Sequence, residues 1–261
     1  MKAAFAVLGA VALGFLALPV VAIFLRVSPG TLVRELGDPV ARDALIVSLE
    51  TSAVAQLLVV GVGTPAAYLL ATRRFRGRAL VLTLVELPLV LPPAVAGIGL
   101  LATFGRTGLL STSVAFTKTA VVLAVAFVSA PFYVRTAVAA FEAVDPTLVA
   151  AARTLGAGPW RVFLRIALPL AAGGLGAGLA LAFARGLGEF GATIMFAGSL
   201  EGVTQTLPVA IYQQFNTDFT TALAMSALLV IVSGALLVAL RLTLQWQPSR
   251  PTSRSLFAPS R

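Results

Sequence analysis

The sequence predicts an all-α membrane protein with six transmembrane helices, and three observations carry that prediction. The 261 residues are 59% hydrophobic, with a mean hydropathy of +0.98. Only 11% are charged, where soluble domains carry about a quarter. The charges fall mainly between apolar runs of about 20 residues, the length a helix needs to cross the hydrocarbon layer. A chain this apolar has lipid as its solvent, and in lipid a helix satisfies its own backbone donors and acceptors.

Taken in order, residues 3–25 carry no charge, 48–71 carry only Glu50, and 79–105 carry only Glu86. The fourth run lies at 118–141, with Arg135 toward its far end. Residues 166–184 are uncharged and open the fifth; residues 219–240 are uncharged and form the sixth. Six crossings put both termini on one side. Lys2, Arg73, Arg74, Arg76, Arg78, Arg135, Arg153, Arg161, Arg165 and four arginines from Arg241 onward make 13 of 19 basic residues on that side. Five (Arg26, Arg34, Arg42, Arg106 and Lys118) fall on the other, and Arg185 lies within the fifth apolar region. The excess predicts that both termini are cytoplasmic. The first run has the charged start of a signal peptide but exceeds its roughly 7–15-residue apolar core, so a retained anchor is expected. Residues 1–243 are read as one transmembrane domain. Residues 244–261, rich in Pro, Ser and Arg, are read as a disordered basic cytoplasmic tail.

The composition also excludes chemistries. With no Cys and no His, thiol catalysis, zinc sites of the usual kind and His acid/base chemistry are removed, and no catalytic or metal residue is predicted. An intramembrane aspartic site would need paired carboxylates, yet Asp43, Asp145 and Asp218 fall near span ends. The net charge of +9 sits beside apolar runs, a membrane-orientation pattern, so no nucleic-acid partner is expected. No Gly-Lys-Ser/Thr phosphate loop occurs, so ATP and its magnesium would bind another chain, with no cofactor in this one.

The most informative segment is the loop at 142–167, which with the residues that follow reads EAVDPTLVAAARTLGAGPWRVFLRIALP. Asp145 followed by Pro146 marks a helix start. Gly156 and Gly158 end that helix, and Pro159 opens a second through Trp160 toward the fifth span. Leu148, Ala152 and Leu155 share a side at helical spacing, while Arg153, Arg161 and Arg165 add positive charge. Two short helices with small alanines suit close approach by a soluble partner. An ordinary basic loop is the plainer reading of composition alone.

Position by position, this segment resembles the cytoplasmic coupling loop of ABC importer permeases. That pattern is Glu-Ala-Ala, three residues, Gly, nine residues, Ile, one residue, Leu-Pro. Here Ala151, Ala152, Gly156, Ile166, Leu168 and Pro169 match, while Ala150 stands at the Glu position. Further, AARTLGAGPWRVF, PLVLPPAVAGIGLL and FARGLGEFGATI resemble the molybdate-type permeases of that family. The resemblance implies a type I ABC importer permease fold and a homodimer. It also implies a cytoplasmic ATPase homodimer and an external oxyanion-binding protein delivering molybdate and tungstate. Sulfate and thiosulfate permeases share the GEFGA region and are the alternative. An uncoupled channel leaves the loop spacing unexplained.

Within the membrane, Pro88, Pro92 and Pro93 interrupt the third span, so 87–97 is a candidate pathway wall or gate, with a packing kink as the alternative. Gly174 and Gly178 at four-residue spacing suit packing inside the subunit first and dimer contact second. Arg185 and Glu189, four apart, read first as a structural pair; a functional role would put Arg185 near the anion route and Glu189 at a hinge beside Gly191. Residues 190–217 resemble a gate segment, with a short helix near 207–215. Thr193, Thr204, Gln205 and Thr206 offer exchangeable contacts to a passing dianion, in place of a high-affinity site. Glu50 and Glu86 are read as buried carboxylates in packing or helix-end roles, off the anion route.

Overall fold

The computed structural model describes residues 2–245 and contains helices and turns but no strands among them. Three long helices make the centre: α3 (Pro39–Thr72), α6 (Lys118–Glu142) and α9 (Leu168–Leu187). The tail read from the sequence falls largely on 246–261, outside the described residues, and the last helix, α12 (Phe219–Gln245), continues to their limit.

In lipid, helices gain nothing by hiding oily surface, so close van der Waals fit holds them. Small residues supply that fit here. A Cβ on Gly174 would lie 2.5 Å from Ala140 Cβ, and one on Gly178 would lie 3.1 Å from Thr136 Cβ. Both glycines therefore pack α9 on α6 within the subunit; the dimer-contact alternative does not hold for them. Gly63 sits against Tyr133 in the same way, and Tyr133 Oη meets Thr64 Oγ1 at 2.6 Å. Toward the basic end, Tyr68, Phe141 and Phe163 close the core, with ring centroids 4.8–6.2 Å apart.

Five helical segments are long and apolar enough to cross a membrane, and the third predicted crossing is broken. It forms α4 (Arg78–Val90) and α5 (Pro93–Phe104), bent by 115°. Leu91 is extended, and Pro92 and Pro93 bring no N–H to continue the ladder. The two legs follow opposite halves of α6. Arg78 pairs with Glu142 and Glu86 with Arg135 on α4's side, whereas Ala96 and Leu100 of α5 join a cluster with Ala120–Val128. The pair thus follows the whole length of α6, which makes it one broken crossing and the sixth span.

The outer helices differ from the prediction in detail. α1 (Lys2–Arg26) rests on α12 and leaves its apolar surface exposed. A helix absent from the sequence reading, α2 (Pro29–Gly37), is capped by Ser28 Oγ accepting from Thr31 N at 3.1 Å. Asp38 then caps α3 by accepting from Val40 N and Ala41 N, which starts that helix nine residues before the predicted span. Glu50 and Glu86 are not buried. Their side chains are about half exposed and paired, Glu50 with Lys118 at 2.9 Å and Glu86 with Arg135 at 3.4 Å. Apolar neighbours in sequence do not imply burial when the helix face looks outward.

Candidate functional site

The 142–167 loop folds as two short helices that project from the basic end. Asp145 Oδ1 accepts from Thr147 N at 2.8 Å and from Thr147 Oγ1 at 2.7 Å, and these bonds hold its carboxyl below the usual aspartate range. Pro146 opens α7 (Pro146–Thr154). Gly156 then reverses the chain with φ +80°, while Gly156 N donates to Arg153 O and Ala157 N to Ala152 O, both at 3.0 Å. Nothing lies within 4 Å of a Cβ built on Gly156, so its backbone angle, and not crowding, calls for glycine.

Pro159 starts α8 (Pro159–Val162), which runs through a single π turn, Phe163–Ala167, into α9. Together they form a continuous rod, Pro159–Leu187, of 29 residues and about 43 Å. Leu155 and Trp160 are 88% and 70% exposed at the tip, with Leu148, Ala151, Arg153, Arg161 and Arg165 also exposed and Ala152 half-buried. Trp160 stacks on Phe163, centroids 5.5 Å apart. The tip is an apolar, cationic surface with little of its own chain against it.

At the far end of the rod, four sequence-predicted residues meet. Arg185 Nη2 approaches Glu189 Oε2 at 2.7 Å, and Glu189 is almost wholly buried. Glu189 Oε1 accepts from Ala192 N at 2.8 Å and so caps α10 (Gly191–Ala197). The pair therefore bridges a helix break at Gly188 and does not lie along one continuous helix. A Cβ on Gly191 would come 2.7 Å from Pro93 Cβ, and one on Gly97 2.7 Å from Ala192 O. The break in the third span is thus pressed directly against α10. Arg185 also lines a cavity of about 110 Å³ there, with Pro88, Leu91, Pro93 and Phe132.

The other predicted pathway residues lie elsewhere or face protein. Pro92 sits at the bend. Thr193 is fully buried on α10, its hydroxyl without a partner. Thr204 Oγ1 accepts from Leu200 N, and Gln205 Nε2 bonds to Gln213 Oε1. Thr206 is buried at the start of α11 (Leu207–Phe215), whose Leu207 N donates to Ser48 Oγ on α3 at 2.7 Å. In this conformation 204–206 pack the segment down and line no open route.

One buried polar knot escaped sequence reasoning. Gln56 Nε2 donates to Ser129 Oγ at 3.2 Å and to Ala182 O at 3.4 Å, tying α3, α6 and α9 together beside Gly186. Its signal was a lone amide in an apolar span, where polar groups are costly unless partnered.

The sequence matches the profile of the binding-protein-dependent transport system inner membrane component over residues 63–245. It is 45% identical to the molybdenum transport system permease protein ModB of Mycobacterium tuberculosis, covering 84% of this chain and 86% of that one. The ModB of Escherichia coli K12 is 43% identical over 78% of this chain and 92% of its own. Among solved structures, a bacterial ABC transporter involved in import of the acidic polysaccharide alginate matches with a TM-score of 0.75 at 16% identity. That match covers 95% of this chain and 96% of the transporter's. An inward-facing MetNI methionine ABC transporter matches at 0.64 and 19%, covering 79% and 95%.

Proposed function

The chain belongs to the binding-protein-dependent transport inner-membrane component family, and on that premise we propose that it is the molybdate-conducting subunit of an ATP-driven importer. It is a multi-pass inner-membrane protein with the fold of ABC importer permeases. The basic end faces the cytoplasm, both termini with it, in keeping with the excess of Lys and Arg there. Two copies surround the route, two copies of a cytoplasmic ATPase dock on the exposed turn, and an external binding protein delivers the oxyanion.

The observation that carries the mechanism is the rod joining the exposed turn to the broken crossing. When partner ATPases close on ATP, they displace α7 and the Gly156 turn. Phe163 fixes the base of the rod in the aromatic core, so a push at Trp160 tilts α9. Its far end moves Glu189, and through it α10. Because Gly191 and Gly97 leave no gap, α5 follows α10 as a unit. The hinge is the Leu91–Pro93 bend, where no backbone hydrogen bond resists rotation. Arg185, beside that bend, supplies a positive field to the passing dianion. Its pairing with Glu189 keeps it from trapping the anion, since a pathway must release what it admits. Specificity then rests with the external binding protein, and the isolated subunit holds molybdate only weakly.

The test is uptake of labelled molybdate in cells lacking their own transporter, expressing this chain with its ATPase and binding protein. Uptake that needs ATP and yields to excess tungstate but not sulfate is the expected result. Equal competition by sulfate transfers the assignment to sulfate transport. ATP-independent flux removes the importer mechanism.

A further inference from the structure

The basic end holds a cleft that the transport mechanism does not use. It lies between the end of α3 and the turn joining α7 to α8, and its volume is about 570 Å³. Pro65, Leu69, Phe163 and Trp160 give it apolar walls, while Arg73 and Arg153 stand at the same cleft. Arg153 and Tyr68 also line a second space of about 600 Å³ under α7, which Arg74 enters. α7 therefore stands off the helix ends over open room.

The cations at this cleft are distinctive. Arg78, Arg135, Arg185 and Lys118 all pair with carboxylates. The side chains of Arg73, Arg74 and Arg153 make no ion pair or hydrogen bond among the described residues. The one carboxylate at the second space, Glu142, is already held by Arg78. The cleft also lies at a definite depth: α3 ends at Thr72, where the apolar span gives way to Arg73, Arg74 and Arg76. Trp160, largely exposed at its wall, is the residue type that favours the headgroup layer.

We propose that an anionic phospholipid of the adjoining leaflet occupies this cleft. Its phosphate lies between the Arg73 and Arg153 guanidinium groups, and the start of an acyl chain lies along Pro65, Leu69 and Phe163. The charge pattern selects a lipid over other occupants. A free phosphate would be served by the arginines but would leave the apolar walls wet. A neutral apolar molecule would leave unpaired cations facing it. A phospholipid with net negative charge satisfies both halves, and basic pockets at helix ends take such headgroups. Because Arg153 belongs to α7 and Arg73 to the end of α3, the bound lipid bridges the movable turn to the fixed core.

The experiment uses the full chain with Trp246→Phe, leaving Trp160 as its single tryptophan, reconstituted in phosphatidylcholine nanodiscs. Phosphatidylglycerol or phosphatidylcholine with brominated chains is titrated in, and Trp160 quenching is read. The expected result is half-quenching at about tenfold lower mole fraction for brominated phosphatidylglycerol, from two arginines each attracting an anionic headgroup. Arg73→Gln with Arg153→Gln removes that preference. Arg73→Lys with Arg153→Lys keeps most of it, and Arg26→Gln with Arg34→Gln leaves it unchanged. Equal quenching by both lipids, or a preference that survives the double Gln variant, overturns the proposal. Relief of quenching by millimolar inorganic phosphate overturns it too, in favour of a free-anion site. Relief by the partner ATPase assigns the cleft to protein docking and likewise overturns it.

Discussion

Replacing Gly156 tests whether the exposed turn works through its backbone shape. Gly156 sits at φ +80°, where an L side chain pays roughly 1–2 kcal/mol. The space around it is empty, so no clash adds to that figure. Alanine should therefore favour the opened over the formed turn by roughly tenfold. Asparagine tolerates the left-handed region and should cost a few tenths of that. Proline fixes φ near −65° and deletes the N–H that bonds to Arg153 O, so about 3 kcal/mol or more is expected. α7 meets the rest of the chain chiefly through α8 and the π turn, so the loss loosens the turn locally and leaves the membrane core standing. The assay is ATP-dependent molybdate uptake normalised to inserted protein, with binding-protein-stimulated ATPase activity alongside. Uptake should fall in the order glycine, asparagine, alanine, proline, the last near background with normal insertion. Normal uptake by Gly156→Pro, or equal impairment by asparagine and proline, would refute the reasoning.

Three further outcomes follow from the packing and charges. Gly97→Ala puts a methyl 2.7 Å from Ala192 O and should cost about 1–3 kcal/mol and most of the uptake, while Gly99→Ala, with nothing within 4 Å, should be neutral in both. Glu189→Ala should lower the melting temperature of the purified protein by removing both the Ala192 cap and the Arg185 partner, a loss of about 2 kcal/mol or more. Glu189→Gln should lose less because it keeps an acceptor for Ala192 N, and Arg185→Ala with Glu189→Ala should recover part of the loss. Burial, then Asp38, and more weakly Asp218, raise the Glu35 carboxyl above its ordinary value of 4.5. A raised acid binds its proton more readily when folded, so its stabilising contribution is full below 4.5 and is lost as pH rises through the folded value. Glu35→Gln should therefore raise the melting temperature at neutral pH and flatten its dependence over that window. Asp218, held low by Thr221 and Thr220, works in the opposite sense, its contribution fading as pH falls below 3.8.

Much of the architecture was legible because lipid imposes a strict length and polarity rule on each crossing. The capping residues of the exposed turn were equally legible, since Asp145, Pro146, Gly156 and Pro159 act on their own neighbours in the chain. The 207–215 helix was readable for the same reason. Short helices and side-chain placement were harder. α2 has too few residues to register as a span. Glu50 and Glu86 sit in apolar strings, yet their helix faces look outward to cations 68 and 49 positions away along the chain.

The sequence by itself determined a polytopic helical membrane protein, the basic end, the helical turn built at Asp145–Pro159, and the place where the third crossing must break. Each of these depends on a residue's own chemistry and that of its near neighbours. Only the tertiary structure decided the 115° direction of that break, the seating of Gly191 on Pro93, the Arg185–Glu189 bridge across a helix end, and the burial of Thr204–Thr206. Proline removes a hydrogen bond without saying which way the chain then turns. That direction comes from α10 filling the space beside α5, a contact between segments nearly a hundred residues apart.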